Sequence, residues 1–281
     1  MRTRILGKML NSEVQEYLKH NDTIIVAVGT TEMHGGLPLD CETVLSEAYA
    51  LKMAEACDGL CLTGLPYFYS GATASGRGTV QVSIREGIDY LGAIARNLLR
   101  IGFKRQIYLS FHGPAHMTIC PMVRDFYDET GVPILYMDLL MQMVKLGKNL
   151  FSKDSPMNKM LVAGYKIMNR IDDVPLVTGF DADENFMPSN AAFSDLASLG
   201  YQSAAVGYCF GENTDHAPTP DIPDIETRDR FALEGEEWID KVVANMNLEK
   251  VLADLRKLEA YGLENEKKYP WMPSAWNKRR N

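Results

Sequence analysis

No apolar run in this chain approaches the roughly 18 residues that a membrane-crossing helix requires, which argues against a helical membrane protein. The opening MRTRILGKML is too short and too soon followed by a polar helical pattern to read as a secretory signal, so a cytoplasmic location is expected. Cysteine pairs are also missing. The five cysteines, Cys41, Cys57, Cys61, Cys120 and Cys209, are odd in number and contain no C-x-x-C, which argues against a disulfide framework or a cysteine zinc site. Basic residues are in short supply: 29 Lys and Arg face 37 Asp and Glu, for a formal net charge of -8. Phosphate binding needs clustered cations, and only Lys278 to Arg280 form a cluster, so a nucleic-acid partner is not expected. There is no G-x-S-x-G nucleophile elbow. Gly29, Gly35 and Gly36 are not followed at once by a helix start, as a phosphate-binding loop would require. No linker composition divides the chain, so residues 1–281 are expected to form one domain.

What is present is an ordinary globular composition, 46% apolar and 23% charged, organised around one stretch, TIIVAVGTTEMHGGLPLDCET. Residues 23–28 are β-branched or small and apolar, which predicts a buried strand of a parallel sheet ending at Gly29. The loop beyond it carries Glu32, His34, Asp40 and Glu42. Open α/β sheets place their ligands past the carboxyl ends of strands. In extended backbone alternate side chains share a face, so Glu32 and His34 can approach one ion together. A carboxylate with an imidazole suits zinc, manganese or iron better than calcium.

A helix over residues 11–20, capped by Asn11 or Ser12, is predicted before this strand, and a helix over 43–57 stopped by Gly59 after it. A second strand at 60–64 leads into PYFYSGATASGRGT, a loop long enough to be functional, in which Arg77 is a candidate contact for an anionic or carbonyl group of a substrate. Ser83 and Glu86 form a capping-box pair ahead of an amphipathic helix that ends at Gly102. A third strand at 106–111 runs into HGPAH, so His112 and His116 are expected on the same sheet edge as Glu32 and His34. Further on, a strand at 131–137, helices at 138–149 and 156–168, a strand at 203–209 and helices from 228 to 263 are predicted. Together these predict an α/β protein, a mainly parallel sheet flanked by helices in three layers.

These motifs resemble the creatininase family of metal-dependent hydrolases, whose first signature is approximately G-x-x-E-x-H-G-x-H-L-P-x-x-x-D. GTTEMHGGLPLDCET matches it except for the absent histidine between Gly and Leu, with Glu32 and His34 on two metal ligands. Counting from the Leu-Pro pair, Glu42 takes the place of the aspartate that bridges two ions, and Asp40 is the second choice. The family's second signature, N-G-H-G-G-N, survives as SFHGPAH, with His112 on the ligand histidine. The third, H-A-G-E-x-E-T-S, survives only as DADENF, where Asp181 replaces the histidine and Glu184 keeps the first glutamate.

The resemblance implies two divalent ions per subunit, zinc or manganese with ferrous iron as a further candidate, held by Glu32, His34, Glu42, His112 and Glu184. Water is then the nucleophile, and the proton for the leaving group comes from among Glu184, His116, Asp181 and His216, with Arg77, Asp181 and His216 as candidate substrate contacts. The implied reaction is cleavage of a C–N bond in a small cyclic amide or formamide, or alternatively ring opening of an oxidised inositol or a lactone. The resemblance also implies a homo-oligomer, a hexamer, with residues 264–281 as an intersubunit tail. Two readings of another class are a flavodoxin-like binding module and an inactive structural subunit. Neither would carry metal.

Overall fold

The computed structural model describes residues 1–144, 155–179, 207–210 and 219–280. Strands β1 (Thr23–Ala27), β2 (Leu60–Leu62), β3 (Arg105–Ser110) and β4 (Leu135–Asp138) form a parallel sheet in the order β2-β1-β3-β4. Alternate residues of a strand face opposite sides. Ile25, Ala27, Ile107 and Leu109 enter one core, while Ile24, Val26 and Tyr108 enter the other. Helices cover both faces, which is why the strands read as continuous apolar runs rather than alternating ones.

The first core is closed by α2 (Cys41–Ala56), α6 (Pro156–Ile167), α7 (Ile225–Asn245) and α8 (Leu248–Lys268), through residues such as Leu45, Met160, Ile239 and Leu252. On the other side lie α1 (Asn11–Tyr17), α3 (Ile84–Ile101) and α4 (His116–Thr130), through Tyr17, Leu91 and Phe126. The result is the expected three-layer α/β fold. Among the described residues no helix is long and apolar enough to cross a membrane.

The α3 signals act as the sequence predicts. Ser83 Oγ accepts from the Glu86 N–H at 3.3 Å, Glu86 Oε2 accepts from the Ser83 N–H at 2.9 Å, and Gly102 ends the helix at φ 119°.

Other boundaries move, each for a local reason. Helix α2 starts at Cys41 rather than residue 43, which puts Glu42 in its first turn, where the helix dipole favours a carboxylate. Its residues are buried on nearly every side, so no polar face marks where it begins. The N-cap of α1 is Leu10, not Asn11 or Ser12, because Glu13 Oε2 accepts the Leu10 N–H at 2.7 Å. After α2 the left-handed residue is Asp58, at φ 52°, rather than Gly59. Gly131 ends α4 at φ 70°, so β4 begins only at Leu135. Of the helix expected at 138–149, α5 (Leu139–Val144) is present and the rest lies outside the described residues. Residues 207–210 are not strand, and the remainder of the strand expected at 203–209 also lies outside.

The C-terminal helical region is two helices, because Asn247 adopts φ 47° after α7 and its Oδ1 accepts the Lys250 N–H at the start of α8. Beyond α8, the helix α9 (Pro273–Arg280) lies on α4 of its own chain, where Asn277 Nδ2 donates to Asp128 O at 3.0 Å, and Lys278 pairs with Glu266 of α8 at 2.8 Å. Trp271 and Trp276 stay exposed.

Candidate metal centre

The site is assembled where β1, β3 and the start of α2 meet. Gly29 follows β1, and a Cβ there would lie 2.1 Å from Thr43 Oγ1, so only glycine admits this approach of α2. Thr43 Oγ1 donates to Thr30 O at 2.6 Å and accepts the Thr30 N–H at 2.9 Å, which fastens the site loop to the helix bearing Glu42. At the end of β3, Ser46 Oγ accepts the Phe111 N–H at 2.9 Å and Ser110 Oγ accepts the His112 N–H at 3.2 Å. The backbones carrying Glu42 and His112 are thus tied to the same framework.

Four side chains that the sequence offers as ligands converge there, at 0% exposure for Glu32, 2% for His34, 6% for Glu42 and 3% for His112. His112 Nδ1 lies 3.0 Å from Glu32 Oε1 and 2.7 Å from Glu42 Oε2. The other oxygen of Glu42, Oε1, faces His34 Nε2 at 3.8 Å. Ligand atoms of Glu32, Glu42 and His112 all lie within 4.8 Å of one another. Tetrahedral ligands on bonds of about 2.0–2.1 Å stand about 3.3 Å apart, so the observed separations bracket those of a coordination shell.

The electrostatics also fit a cation. Burial pushes Glu32 up to about 7 against the pull of His112. Burial would lower His112, but Glu32 and Glu42 outweigh it and raise it to about 10. His34 is lowered, chiefly by burial. Two buried carboxylates require positive charge between them, from an imidazolium or a metal ion. Carboxylate oxygens with imidazole nitrogens are the donor set of zinc, manganese or ferrous sites.

The remaining expected residues separate. Asp40, the second choice for the bridge, points elsewhere: it accepts from the Tyr165 hydroxyl at 2.6 Å and pairs with Arg170 Nη1 at 2.8 Å. His116 opens α4, with its Nδ1–H donating to Gly113 O at 2.8 Å, so it shares the sheet edge with His34 and His112 without joining the three-residue cluster. Arg77 is exposed. Asp181, Glu184 and His216 lie outside the described residues. Phe210 and Thr219, which flank residues 211–218, both reach the site loops: the Phe210 N–H donates to Ala72 O at 2.8 Å, and Thr219 Oγ1 accepts the Gly36 N–H at 2.8 Å.

Sequence reasoning passes over three contributors. The Thr73 hydroxyl donates to Glu32 Oε2, and the Tyr69 carbonyl accepts from His112 Nε2 at 3.2 Å. A main-chain carbonyl has no signature in the sequence. Asp138, the last residue of β4, pairs in register with Ser110 and lines an open groove of about 500 Å³ with His116, Cys120, Met141 and Gln142. Burial raises its carboxyl above the usual range, while the Met141 N–H, His116 and His112 draw it back. The rule that located His112, a polar residue just at a strand's carboxyl end, finds Asp138 as well.

A family model described as creatininase, creatinine amidohydrolase, matches residues 7–164. A curated relative, 3-dehydro-scyllo-inosose hydrolase of Thermotoga maritima, is 34% identical over 111 residues, covering 37% of this chain and 34% of the relative. The chain therefore matches about a third of that relative's length. Among solved structures, a candidate creatinine amidohydrolase from Bacteroides fragilis NCTC 9343 superposes with a TM-score of 0.64 at 18% identity, over 92% of this chain and 98% of that one. A creatinine amidohydrolase (creatininase) structure gives 0.58 at 16% identity, over 88% and 98%.

Proposed function

The chain belongs to the creatininase family, whose model matches more than half of its length, and we propose that it is a hydrolase using two divalent metal ions that share Glu42. One observation carries this reading: Glu42 divides its carboxylate, presenting Oε2 to His112 and Oε1 to His34. Glu32 would complete the ligands on the His112 side, and His34 would serve a second ion, with Glu184 proposed as its outer carboxylate. Divalent ions held there lower the pKa of a bound water towards neutrality and polarise a carbonyl.

The chain's own residues supply the rest. Glu32 and Glu42 place buried carboxyl groups at the sheet edge, so the centre favours cations and is shielded from bulk water. With His116 Nδ1 donating to the Gly113 carbonyl, the neutral ring keeps its lone pair on Nε2, the tautomer needed to take up a proton and return it to a leaving group. Arg77, Asp181 and His216 remain the proposed substrate contacts.

The family resemblance supports cleavage of the C–N bond of a small cyclic amide or formamide. The second reading, ring opening of an oxidised inositol, is favoured by the Thermotoga maritima relative, which acts on 3-dehydro-scyllo-inosose. Both use an attacking water and a polarised carbonyl. The test is metal analysis with an activity screen. About two ions per chain are expected, with hydrolysis of a cyclic amide, formamide, lactone or keto-cyclitol that a chelator abolishes and zinc or manganese restores. A purified protein that binds no metal would instead be the structural subunit or binding module.

Assembly into a homo-oligomer, a hexamer in this reading, is supported by the exposed Trp271 and Trp276 on the C-terminal segment. A purely monomeric sedimentation profile would remove that part.

A further inference from the structure

The long loop between β2 and α3 touches the metal cluster at two separate ligands and is bound to the ligand loop at several more points. Its turn of 3-10 helix spans Gly71–Ser75. Thr73, 1% exposed, places its hydroxyl on Glu32 Oε2. The same oxygen lies 3.2 Å from Ser70 O, but a hydroxyl has one proton, and the charged, closer acceptor takes it. Tyr69 supplies the carbonyl facing His112 Nε2.

The backbone on either side of Glu32 is fixed by the same loop. Thr79 Oγ1 accepts the Met33 N–H at 3.1 Å and donates to Thr73 O at 2.9 Å. The Val80 N–H donates to Thr31 O at 2.9 Å, and Thr31 Oγ1 donates to Pro66 O at 3.1 Å. Motion of the turn would therefore displace Glu32 through both its side chain and its main chain.

The Tyr69 contact decides a question of chemistry. A carbonyl only accepts, so His112 Nε2 must bear the proton, and in the neutral ring Nδ1 carries the lone pair. That lone pair points at two carboxylate oxygens, 3.0 and 2.7 Å away, an arrangement that calls for a positive centre there, the second proton of the imidazolium in the metal-free protein or a metal ion in that proton's place.

We propose that the loop from Tyr69 to Thr79 is the positioning frame of the metal centre, its Tyr69 carbonyl holding His112 to bind metal through Nδ1 and its Thr73 hydroxyl orienting Glu32. Thr73 is a positioning residue, acting through Glu32. The proposal rests on the metal reading above and adds which loop sets affinity and which nitrogen binds.

Two measurements on the full chain test it. In zinc competition against a chromophoric chelator, Thr73→Val is expected to weaken binding about 10- to 100-fold, the range for partners of a ligand, and Thr73→Ser to restore most of it. In wild-type protein carrying 15N-labelled histidine and loaded with cadmium, coupling to the metal is expected at Nδ1 of His112, with Nε2 still protonated. Unchanged zinc affinity in Thr73→Val overturns the role of Thr73. Equal weakening in Thr73→Ser, with no restoration, does the same. Coupling at Nε2 overturns the role of Tyr69, and this result does not depend on any variant folding. Failure of the wild-type protein to bind either ion would bring down the metal reading itself, an outcome distinct from all of these.

Discussion

Glu42→Gln and His112→Ala are each expected to empty the metal centre and lower hydrolysis by more than about a thousandfold, on the order of 4 kcal/mol of transition-state stabilisation. The amide of glutamine has one weak oxygen ligand and one donor, so it cannot serve His34 and His112 together as the two Glu42 oxygens do. The two variants should nevertheless part in their metal-free stability. Glu42→Gln removes one of two buried carboxylates beside His112 and leaves Glu32 to pair with the ring. Little stability should be lost. His112→Ala leaves two buried carboxylates without their shared imidazole, and breaking a buried pair in this way costs about 3–5 kcal/mol, reduced by the ease with which Glu32, raised to about 7, takes up a proton. Metal analysis, initial rates and thermal melting in chelator separate these effects. If either variant keeps its full complement of ions, the residue is not a ligand.

The legible part of this protein is the part written locally. The buried strand at 23–28, the Glu32 and His34 pair just past it, and His112 past β3 all follow from a strand, its end and the next few residues. The Ser83 and Glu86 cap lies within a single turn. What escaped reading depends on distant chain. The start of α2 carries no periodic signal, since the sheet on one side and α6 and α7 on the other bury it all round. Asp58 rather than Gly59 takes the left-handed turn because a short polar side chain tolerates that conformation. Thr73 is one more small residue in a loop of small residues until the fold sets it against Glu32, 41 positions away. The choice between Asp40 and Glu42 is made by residues far downstream, since Tyr165 and Arg170 are separated from Asp40 by 125 and 130 positions.

That choice gives the second large expected effect, a reversal of what family likeness alone would suggest. Glu42→Asp restores the carboxylate type of the creatininase signature, yet it should impair the centre. Residue 42 is held in the first turn of α2, and α2 is fixed by Thr43 to Thr30 and by Ser46 to Phe111. The main chain therefore cannot advance to make up for a side chain shorter by about 1.5 Å, the length of one C–C bond. Metal–ligand distances tolerate only about ±0.2 Å, so at least one ion should be lost or loosened, and activity should fall with it. Asp40→Asn should do the opposite, keeping both ions and most activity. It gives up the ion pair with Arg170, whose side chain is 40% exposed against 30% for Asp40, while the amide oxygen can still accept from Tyr165. A partly exposed pair of this kind is worth at most about 1 kcal/mol. Arg170→Gln, which breaks the same pair from the other side and also the one with Asp173, should match Asp40→Asn in metal content. Loss of metal in Asp40→Asn with retention in Glu42→Asp would make Asp40 the bridging residue and exclude the arrangement of α2 described here.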